Sequence, residues 1–343
     1  MLYLIVAPRN LEDICERELN GKNISIIKRG YRKLLISYCG DPDSLSCLRT
    51  PDDILVFLKE FKDKKHYTGR LDNIYKQIKD INLHEAVATC RKVRTLSTDL
   101  TFSVTASIIG KRRLTQDFLK KTIAKNLSSD FMKFKSGGKP DLDFFIMIEN
   151  ENVCFGLRLF KEPLHKRDYK RYSLPASLKS NIAYCMLELA KVMAGDSVLD
   201  PMCGVGTISL EASFMGAKAI GLDKSREAIQ LAKKNARKAN KLVVFEQGDT
   251  TCTNLSTNSI DKIVTNLPFG KQIDLISGKS FFIGFLKEAS RILKKDGRIV
   301  LLTVHHDLIY EEIGKLGLAL EHKRRIALFG LQPYILILIH SKG

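Results

Sequence analysis

Two short stretches of this sequence carry residue types and spacings suited to chemistry. The first, Val198-Leu-Asp-Pro-Met-Cys-Gly-Val-Gly-Thr207, reads as a strand, a glycine turn and a helix start. Gly204 and Gly206 permit a tight turn and let a ligand approach where a Cβ would clash. Asp200 sits at the strand tip, where it would repel a pyrophosphate seated on the following helix N-terminus. Ser209 also occupies the place of the third glycine of a dinucleotide fingerprint. Two further acids close successive strands. Asp223 is positioned to accept hydrogen bonds from ribose hydroxyls, and Asp249 from an adenine amino group. Each acid alone reads equally well as a helix cap or a surface residue. Three at successive strand tips fit a nucleoside that carries positive charge, and S-adenosylmethionine, with its α-ammonium and sulfonium, is such a molecule.

The second stretch is Ile263-Val-Thr-Asn-Leu-Pro-Phe-Gly-Lys271. Apolar Leu-Pro-Phe after a strand suits transfer to a planar amine, whose lone pair is delocalised and weakly nucleophilic. The Asn266 side-chain oxygen and the Leu267 carbonyl could each accept one N–H, turning the lone pair toward a methyl donor. Pro268 has no N–H and stiffens the turn. Phe269 offers a face on which a flipped base can stack. Catalysis would then rest on positioning and hydrogen-bond acceptance.

Both stretches need a sheet to hold them. From residue 178 onward strands and helices alternate strictly. Strands are expected at 197–200, 219–223, 243–247, 262–265 and 298–304, with helices at 178–193 and around Ala228, Ile229, Ala232, Ala236 and Ala239. A further amphipathic helix runs through Phe281, Phe282, Phe285, Leu286, Ala289 and Leu293, and a terminal hairpin is expected from 325–329 and 334–339. This is a doubly wound, Rossmann-like α/β domain over 178–343.

The segment before it reads as two small units. In 1–61, strands at 3–7, 24–28, 33–38 and 53–61 surround a helix capped by Asn10. In 62–160, strands are expected at 101–107, 144–148 and 153–159, with a helix through Phe118, Leu119, Ile123, Ala124 and Leu127. Lys111, Arg112 and Arg113 form a basic turn, and Lys120, Lys121 and Lys125 line the polar face of the helix, with Lys133 and Lys135 after it. Residues 161–177, which include Lys166 and Arg167, read as a basic linker or as a loop that closes over a site.

The bulk numbers agree. The chain has 343 residues, 44% hydrophobic and 27% charged, with a formal net charge of +18. Such a charge exceeds what solubility requires and points to a polyanionic partner. The eight cysteines are scattered, with no Cys-x-x-Cys pair, so no metal is expected. His305-His306 reads as the structural or solvated end of a strand. No apolar run reaches the length of a membrane span, and the apolar start lacks the features of a signal peptide. The expected setting is the cytoplasm.

Asp200-Pro-Met-Cys-Gly-Val-Gly-Thr207 together with Asn266-Leu-Pro-Phe-Gly270 resembles the class I amino-methyltransferases, and is most similar to the THUMP-domain RNA guanine-N2 methyltransferases that modify position 6 of tRNA. The resemblance covers the whole chain. It implies a ferredoxin-like α+β domain (1–61), an α/β THUMP domain that grips the tRNA 3′ acceptor end (62–160), a linker (161–177) and the catalytic domain (178–343). Asp200, Cys203, Gly204, Gly206, Thr207, Asp223 and Asp249 would hold the cofactor, with Ser177 in a stretch lying across it. Asn266, Pro268 and Phe269 would hold the base. The implied RNA contacts are Lys111, Arg112, Arg113, Lys120, Lys121, Lys125, Lys166 and Arg167, in a monomer. Many relatives have Asn-Pro-Pro; the Leu-Pro form found here occurs in the tRNA position-6 branch.

Other classes fit less well. Methylation of another tRNA guanosine or of ribosomal RNA is the nearest alternative. A DNA adenine-N6 enzyme would need a base-reading element that residues 1–160 do not announce. Glutamine-N5 and small-molecule enzymes have no need of so basic a chain. A non-catalytic RNA-binding descendant would be expected to have lost Asp200 or Asn266, and both are present.

Overall fold

The computed structural model describes residues 1–64, 70–110, 114–127, 132–135, 139–268, 275–328 and 330–341, without the side chains of 275–278. Lys111, Arg112, Arg113 and Phe269 lie outside the described residues. The chain forms two compact units. One comprises Met1–Ala7 and Cys15–Leu164; the other comprises Pro8–Ile14 and His165–Gly343.

In chain order the first elements are β1 (Leu2–Val6), α1 (Glu12–Gly21), β2 (Ser25–Gly30), β3 (Lys33–Ser37) and β4 (Asp53–Lys62). Then come α2 (Asp72–Lys79), α3 (His84–Val93), β5 (Leu100–Ile109), α4 (Gln116–Leu127), β6 (Met132–Phe134), β7 (Leu142–Glu149) and β8 (Asn152–Arg158). The eight strands make one sheet in the order β2-β3-β1-β4-β8-β7-β5-β6. β5 shows why the sequence folds this way. Leu100, Phe102, Val104, Ala106 and Ile108 are buried and alternate with half-exposed Thr and Ser, the period of a strand with one face on the core. The buried face packs with Ile74, Ile78, Val87, Leu119 and Ile123 of the three nearby helices.

A polar ladder crosses this sheet. Arg158 of β8 donates to Asp53 of β4 at 2.7 Å and also to Asp143 of β7. Asp143 accepts in turn from Ser103 of β5 at 2.8 Å and from Thr105 at 3.1 Å. Four adjacent strands are thus joined by side chains as well as by backbone. The boundary expected at residue 61 falls inside β4, which continues pairing with β8 as far as Lys62↔Asn152. The expected Asn10 cap is also corrected: Asn10 has φ 62°, and its amide donates to the Arg325 carbonyl at 2.9 Å.

The second unit continues with α5 (Ser180–Leu189), β9 (Ser197–Asp200), α6 (Thr207–Phe214), β10 (Lys218–Asp223), α7 (Arg226–Ala239), β11 (Val244–Gln247) and β12 (Ile260–Asn266). It ends with α8 (Leu275–Ile292), β13 (Leu293–Thr303), α9 (His306–Ile313), β14 (Leu318–Arg325) and β15 (Tyr334–His340). Its sheet runs β11-β10-β9-β12-β13-β15-β14. The first five strands in this order are parallel, and β15 is antiparallel to both neighbours. Successive residues serve opposite faces: Val198 and Val264 enter one apolar cluster, Leu199 and Ile263 the other. Buried on both faces, these strands read as near-continuous apolar runs.

Two expectations shift here. The first strand of the terminal hairpin is Leu318–Arg325, not 325–329, and Arg325 pairs with Tyr334. β13 stops at Thr303, so His305 and His306 belong to the start of α9 rather than to a strand end. Among the described residues no helix is long and apolar enough to cross a membrane.

Candidate active site

The strand order reverses between β9 and β12, which pair through Lys262↔Val198 and Ile263↔Leu199. Open α/β sheets bind ligands at the carboxyl ends of such strands, where the helices depart to opposite faces. A cavity of about 350 Å³ lies there, and Asp200, Gly204, Asp223, Asn266, Pro268 and Ser177 are in its wall.

Asp200 ends β9 and is 2% exposed. Thr265 Oγ1 donates to its Oδ1 at 2.8 Å, and the Met202 N–H at 3.3 Å. Burial pushes its carboxyl up to about 7, partly opposed by these two donors, while the nearby Asp223 charge adds to the rise. A buried carboxylate with raised proton affinity is a ready partner for a cation.

Asp223 ends β10 and organises the glycine turn. Its Oδ2 accepts the Gly204 N–H at 2.8 Å and its Oδ1 the Ser225 N–H at 2.8 Å. Ser225 caps α7 by accepting from the Ala228 N–H at 3.2 Å. A carboxylate has about four acceptor positions, so a ligand hydroxyl can still bind.

The two glycines do different work. Gly204, at φ 52°, has nothing among the described residues within 4 Å of where a Cβ would stand, and it lines the cavity. Gly206, at φ 83°, would place a Cβ 2.6 Å from the Phe245 ring and 3.1 Å from Ala232. Gly206 therefore permits close packing, and the expectation that it admits a ligand is corrected. Cys203 and Thr207 line the cavity beside it. Burial, then the charge of Asp200, pushes the Cys203 thiol well above the ordinary range, so it acts as a small wall residue.

Asp249 does not line the cavity. It is exposed, and its Oδ1 accepts from Thr251 N–H at 2.8 Å and Thr251 Oγ1 at 2.6 Å. Those bonds hold its carboxyl below the usual range. The role expected for it, an acceptor for adenine, is not supported by this position.

Asn266 ends β12 with its Oδ1 buried and without a partner among the described residues. Leu267 is anchored by its N–H to the Leu302 carbonyl at 2.9 Å, and Pro268 completes the rim. Buried polar atoms in folded proteins nearly always have a partner. An acceptor left unserved at the mouth of a cavity marks the place where a ligand donor belongs.

The segment expected to be a linker is pinned to this unit. Tyr169 donates to Glu211 of α6 at 2.5 Å. Lys170 Nζ donates to the Leu178 carbonyl, and burial lowers its ammonium to about 8. Asn235 of α7 accepts from the Tyr172 N–H at 3.1 Å and donates to the carbonyls of Tyr172 and Val205. This leaves 174–178 as a strap in the cavity wall, where Ser177 Oγ accepts the Leu174 N–H at 2.9 Å. Arg167, expected at the RNA surface, is 10% exposed at its side chain and pairs with fully buried Glu211 at 3.5 Å. Its guanidinium braces the strap. Lys166 is exposed. On α4, Lys121 and Lys125 are exposed, and Lys120 lies 3.7 Å from Asp117.

Thr265, Glu211 and Asn235 were not singled out in the sequence. Thr265 was visible beside Asn266 in the same motif; the other two look like ordinary helix residues until their partners are known.

A parallel sheet with one antiparallel strand, a glycine turn between two acids and an unserved asparagine at the switch point together define a class I methyltransferase domain. Its methyl donor is S-adenosylmethionine. Residues 167–332 match the UPF0020 family, described as an RMKL-like methyltransferase domain. The chain is similar to the tRNA (guanine(6)-N2)-methyltransferase of Archaeoglobus fulgidus, 24% identical over 369 residues that cover 98% of this chain and 91% of the relative. It is also similar to the U6 snRNA (guanine-N(2))-methyltransferase THUMPD2 of Bos taurus, 35% identical over 60% of this chain and 41% of that protein. The chain thus spans about two-fifths of the length of this second relative. The crystal structure of TrmN from Thermus thermophilus shares the fold, with a TM-score of 0.78, 21% identity and coverage of 99% and 100% of the two chains.

Proposed function

We propose that this chain transfers a methyl group from S-adenosylmethionine to the exocyclic N2 of a guanosine in tRNA, at position 6 of the acceptor stem. The observation that carries this reading is the buried Asn266 Oδ1 in the cavity wall, which has no partner among the described residues.

The site's residues fit the cofactor. When bound, S-adenosylmethionine supplies an electrophilic methyl group on a cationic sulfur. Asp200 offers buried negative charge for its positive groups, Asp223 accepts from hydroxyls, and Gly204 lets the ligand lie against the backbone. The strap at 174–178 shields the cavity from water. Asn266 Oδ1 accepts one N–H of the base amine, which turns the nitrogen lone pair out of conjugation and fixes its direction. It does so without taking the proton, which the transiently cationic methylated nitrogen releases to water after the transfer. Pro268 holds the rim rigid beside it.

A ferredoxin-like domain and a THUMP domain in residues 1–160 hold the RNA in this reading. The net charge of +18 supports a polyanionic substrate, as does the name of the archaeal relative that matches nearly end to end. The higher identity with the U6 snRNA enzyme favours a second reading, in which the same chemistry falls on a small nuclear-type RNA. Incubation with labelled cofactor and unmodified tRNA or U6 transcripts, followed by mapping of the methylated nucleoside, separates the two. Label in N2-methylguanosine at position 6 of tRNA is the expected result. Label only in U6, ribosomal RNA or protein overturns it.

A further inference from the structure

The helix that leaves the cavity wall carries a basic face that the proposed chemistry does not use. Ser225, which caps α7, and Ala228 of its first turn both line the cavity. The helix itself, Arg226–Ala239, holds five cations and a single acid, Glu227. Lys233, Lys234, Arg237 and Lys238 are exposed and, lying three or four positions apart, share one face. Asn235, between them in sequence, is buried and ties this helix to the segment that leads into the strap. It accepts the Tyr172 N–H at 3.1 Å, donates to the Tyr172 carbonyl at 3.0 Å, and donates to the carbonyl of Val205, another cavity residue, at 3.1 Å. The Tyr172 backbone is thus fixed while the residue stays 42% exposed, with Lys234 Nζ 5.3 Å from its ring centroid. Arg171 beside it is exposed as well.

Like charges at this spacing repel one another and weaken a helix. The helix dipole favours Arg237 and Lys238, which lie in the last turn, but it fades within a turn and does not account for Lys233 and Lys234. Other exposed cations of this unit meet carboxylates: Lys294 pairs with Asp261 at 2.7 Å and Lys279 with Glu311 at 3.0 Å. Among the described residues, the four cations on this face of α7 have no such partner. From the first to the last they span roughly 7–8 Å of helix, about the rise of two phosphates along one nucleic-acid strand. An exposed aromatic ring with a pinned backbone stands next to them, and unpaired bases stack on such faces.

We infer that α7 and Tyr172 form an RNA-docking surface on the catalytic domain: its exposed lysines and arginines, with Arg171, take neighbouring phosphates of the strand that delivers the target base, and an unpaired base stacks on Tyr172. The inference rests on the RNA reading of the substrate. It adds a contact that the catalytic domain makes itself, separate from those expected in residues 62–160. Through Asn235, one side chain serves both the docking ring and the wall of the cofactor cavity.

Two triple variants test this. Lys234→Gln, Arg237→Gln and Lys238→Gln together remove three cations of the surface. Lys191→Gln, Lys218→Gln and Lys295→Gln together remove three exposed cations that precede or lie early in β9, β10 and β13, at the other end of the parallel strands. Binding of unmodified tRNA and U6 transcripts is followed by fluorescence anisotropy across a salt series, and calorimetry with S-adenosylhomocysteine checks that the cavity is intact. The first variant is expected to bind RNA roughly 10- to 100-fold more weakly near 0.1 M salt, with a log–log salt slope shallower by about 2. Its KM for RNA should rise more than its kcat falls. The second variant should stay within a few-fold of the unaltered chain. Tyr172→Ala should weaken binding by roughly 5- to 50-fold with the slope unchanged, while Tyr172→Phe, which keeps the ring, should not. Equal losses in the two triple variants, the mark of bulk charge alone, overturn the inference, as does an unchanged slope in the first. Tyr172→Ala binding as tightly as the unaltered chain overturns the stacking. An unaltered chain that binds neither transcript would instead remove the RNA reading itself.

Discussion

The Gly204 backbone N–H donates to Asp223 Oδ2 at 2.8 Å, so the acid that ends the second strand of this domain holds the turn that follows the first. The cofactor wall is built before any ligand arrives. Asp223 is at once an acceptor for the ligand and the clamp on the loop beneath it, and a mutation there should act through both.

Asp200 should make cofactor affinity depend on pH. Its folded carboxyl lies near 7 because it is buried. A cationic ligand prefers the ionised form, so affinity is expected to rise with pH up to about 7 and to level off above it, by up to roughly tenfold per pH unit. The stability effect has the opposite sense. Since the folded value is raised above the unfolded one, the stabilising contribution is full below about 4 and disappears as pH rises through about 7. Asp200→Asn should flatten the pH profile of calorimetric binding, weaken affinity and leave the melting temperature equal or higher. A profile of unchanged steepness in that variant would exclude Asp200 as the responsible group.

Asn266→Ala should lower turnover by two orders of magnitude or more, roughly 3 kcal/mol of transition-state stabilisation, while binding of S-adenosylhomocysteine stays within a few-fold. Single-turnover rates with saturating RNA make the comparison. Turnover close to that of the unaltered chain would remove the amide from the reaction.

The two glycines should fail differently. Gly206→Ala combines a left-handed backbone with a collision at Phe245, and should destabilise the fold by roughly 2–5 kcal/mol. Gly204→Ala meets no neighbour and should lose about 1 kcal/mol of stability but a larger factor in cofactor affinity. Denaturant titration and calorimetry on both variants separate the roles. Phe245→Leu should be less harmful on top of Gly206→Ala than alone.

The basic residues should also divide. Lys121→Ala with Lys125→Ala should weaken RNA binding and reduce the slope of log affinity against log salt by about 1–2; replacing Lys111, Arg112 and Arg113 together should do the same. Arg167→Ala should leave that slope unchanged and reduce stability by roughly 1–3 kcal/mol, because it removes the cation beside buried Glu211, which keeps its hydrogen bond from Tyr169. An Arg167 variant with normal stability and a shallower slope would restore the surface role.

What the sequence revealed about the site was local. Asp200, Gly204, Asp223 and Asn266 sit at strand tips whose apolar runs and turns are short-range signals, and all four reach one cavity. What it concealed depended on distant partners. Gly206 could not be told from Gly204 without Phe245, which comes from another strand. Arg167 looked like any surface arginine until Glu211 was found beneath it. Asp249 was misread although the signal was present: a threonine two residues on captures its carboxylate, as in other Asp-x-Thr turns. The same rule explains β14. It is a mostly exposed edge strand without apolar alternation, so the hairpin was placed too late in the chain.

The eight-stranded sheet of the first unit has a practical corollary. β4 takes its hydrogen bonds from β1 on one side and β8 on the other, and Arg158 reaches across that second seam to Asp53. Cleavage near residue 61 would bare the edge of β4 that pairs with β8 from Leu55 onward and remove the cation that Asp53 pairs with. Open edges of that kind recruit other chains. A fragment ending there should form insoluble oligomers, whereas one ending near residue 164 keeps every strand of the sheet paired as it is in the intact chain.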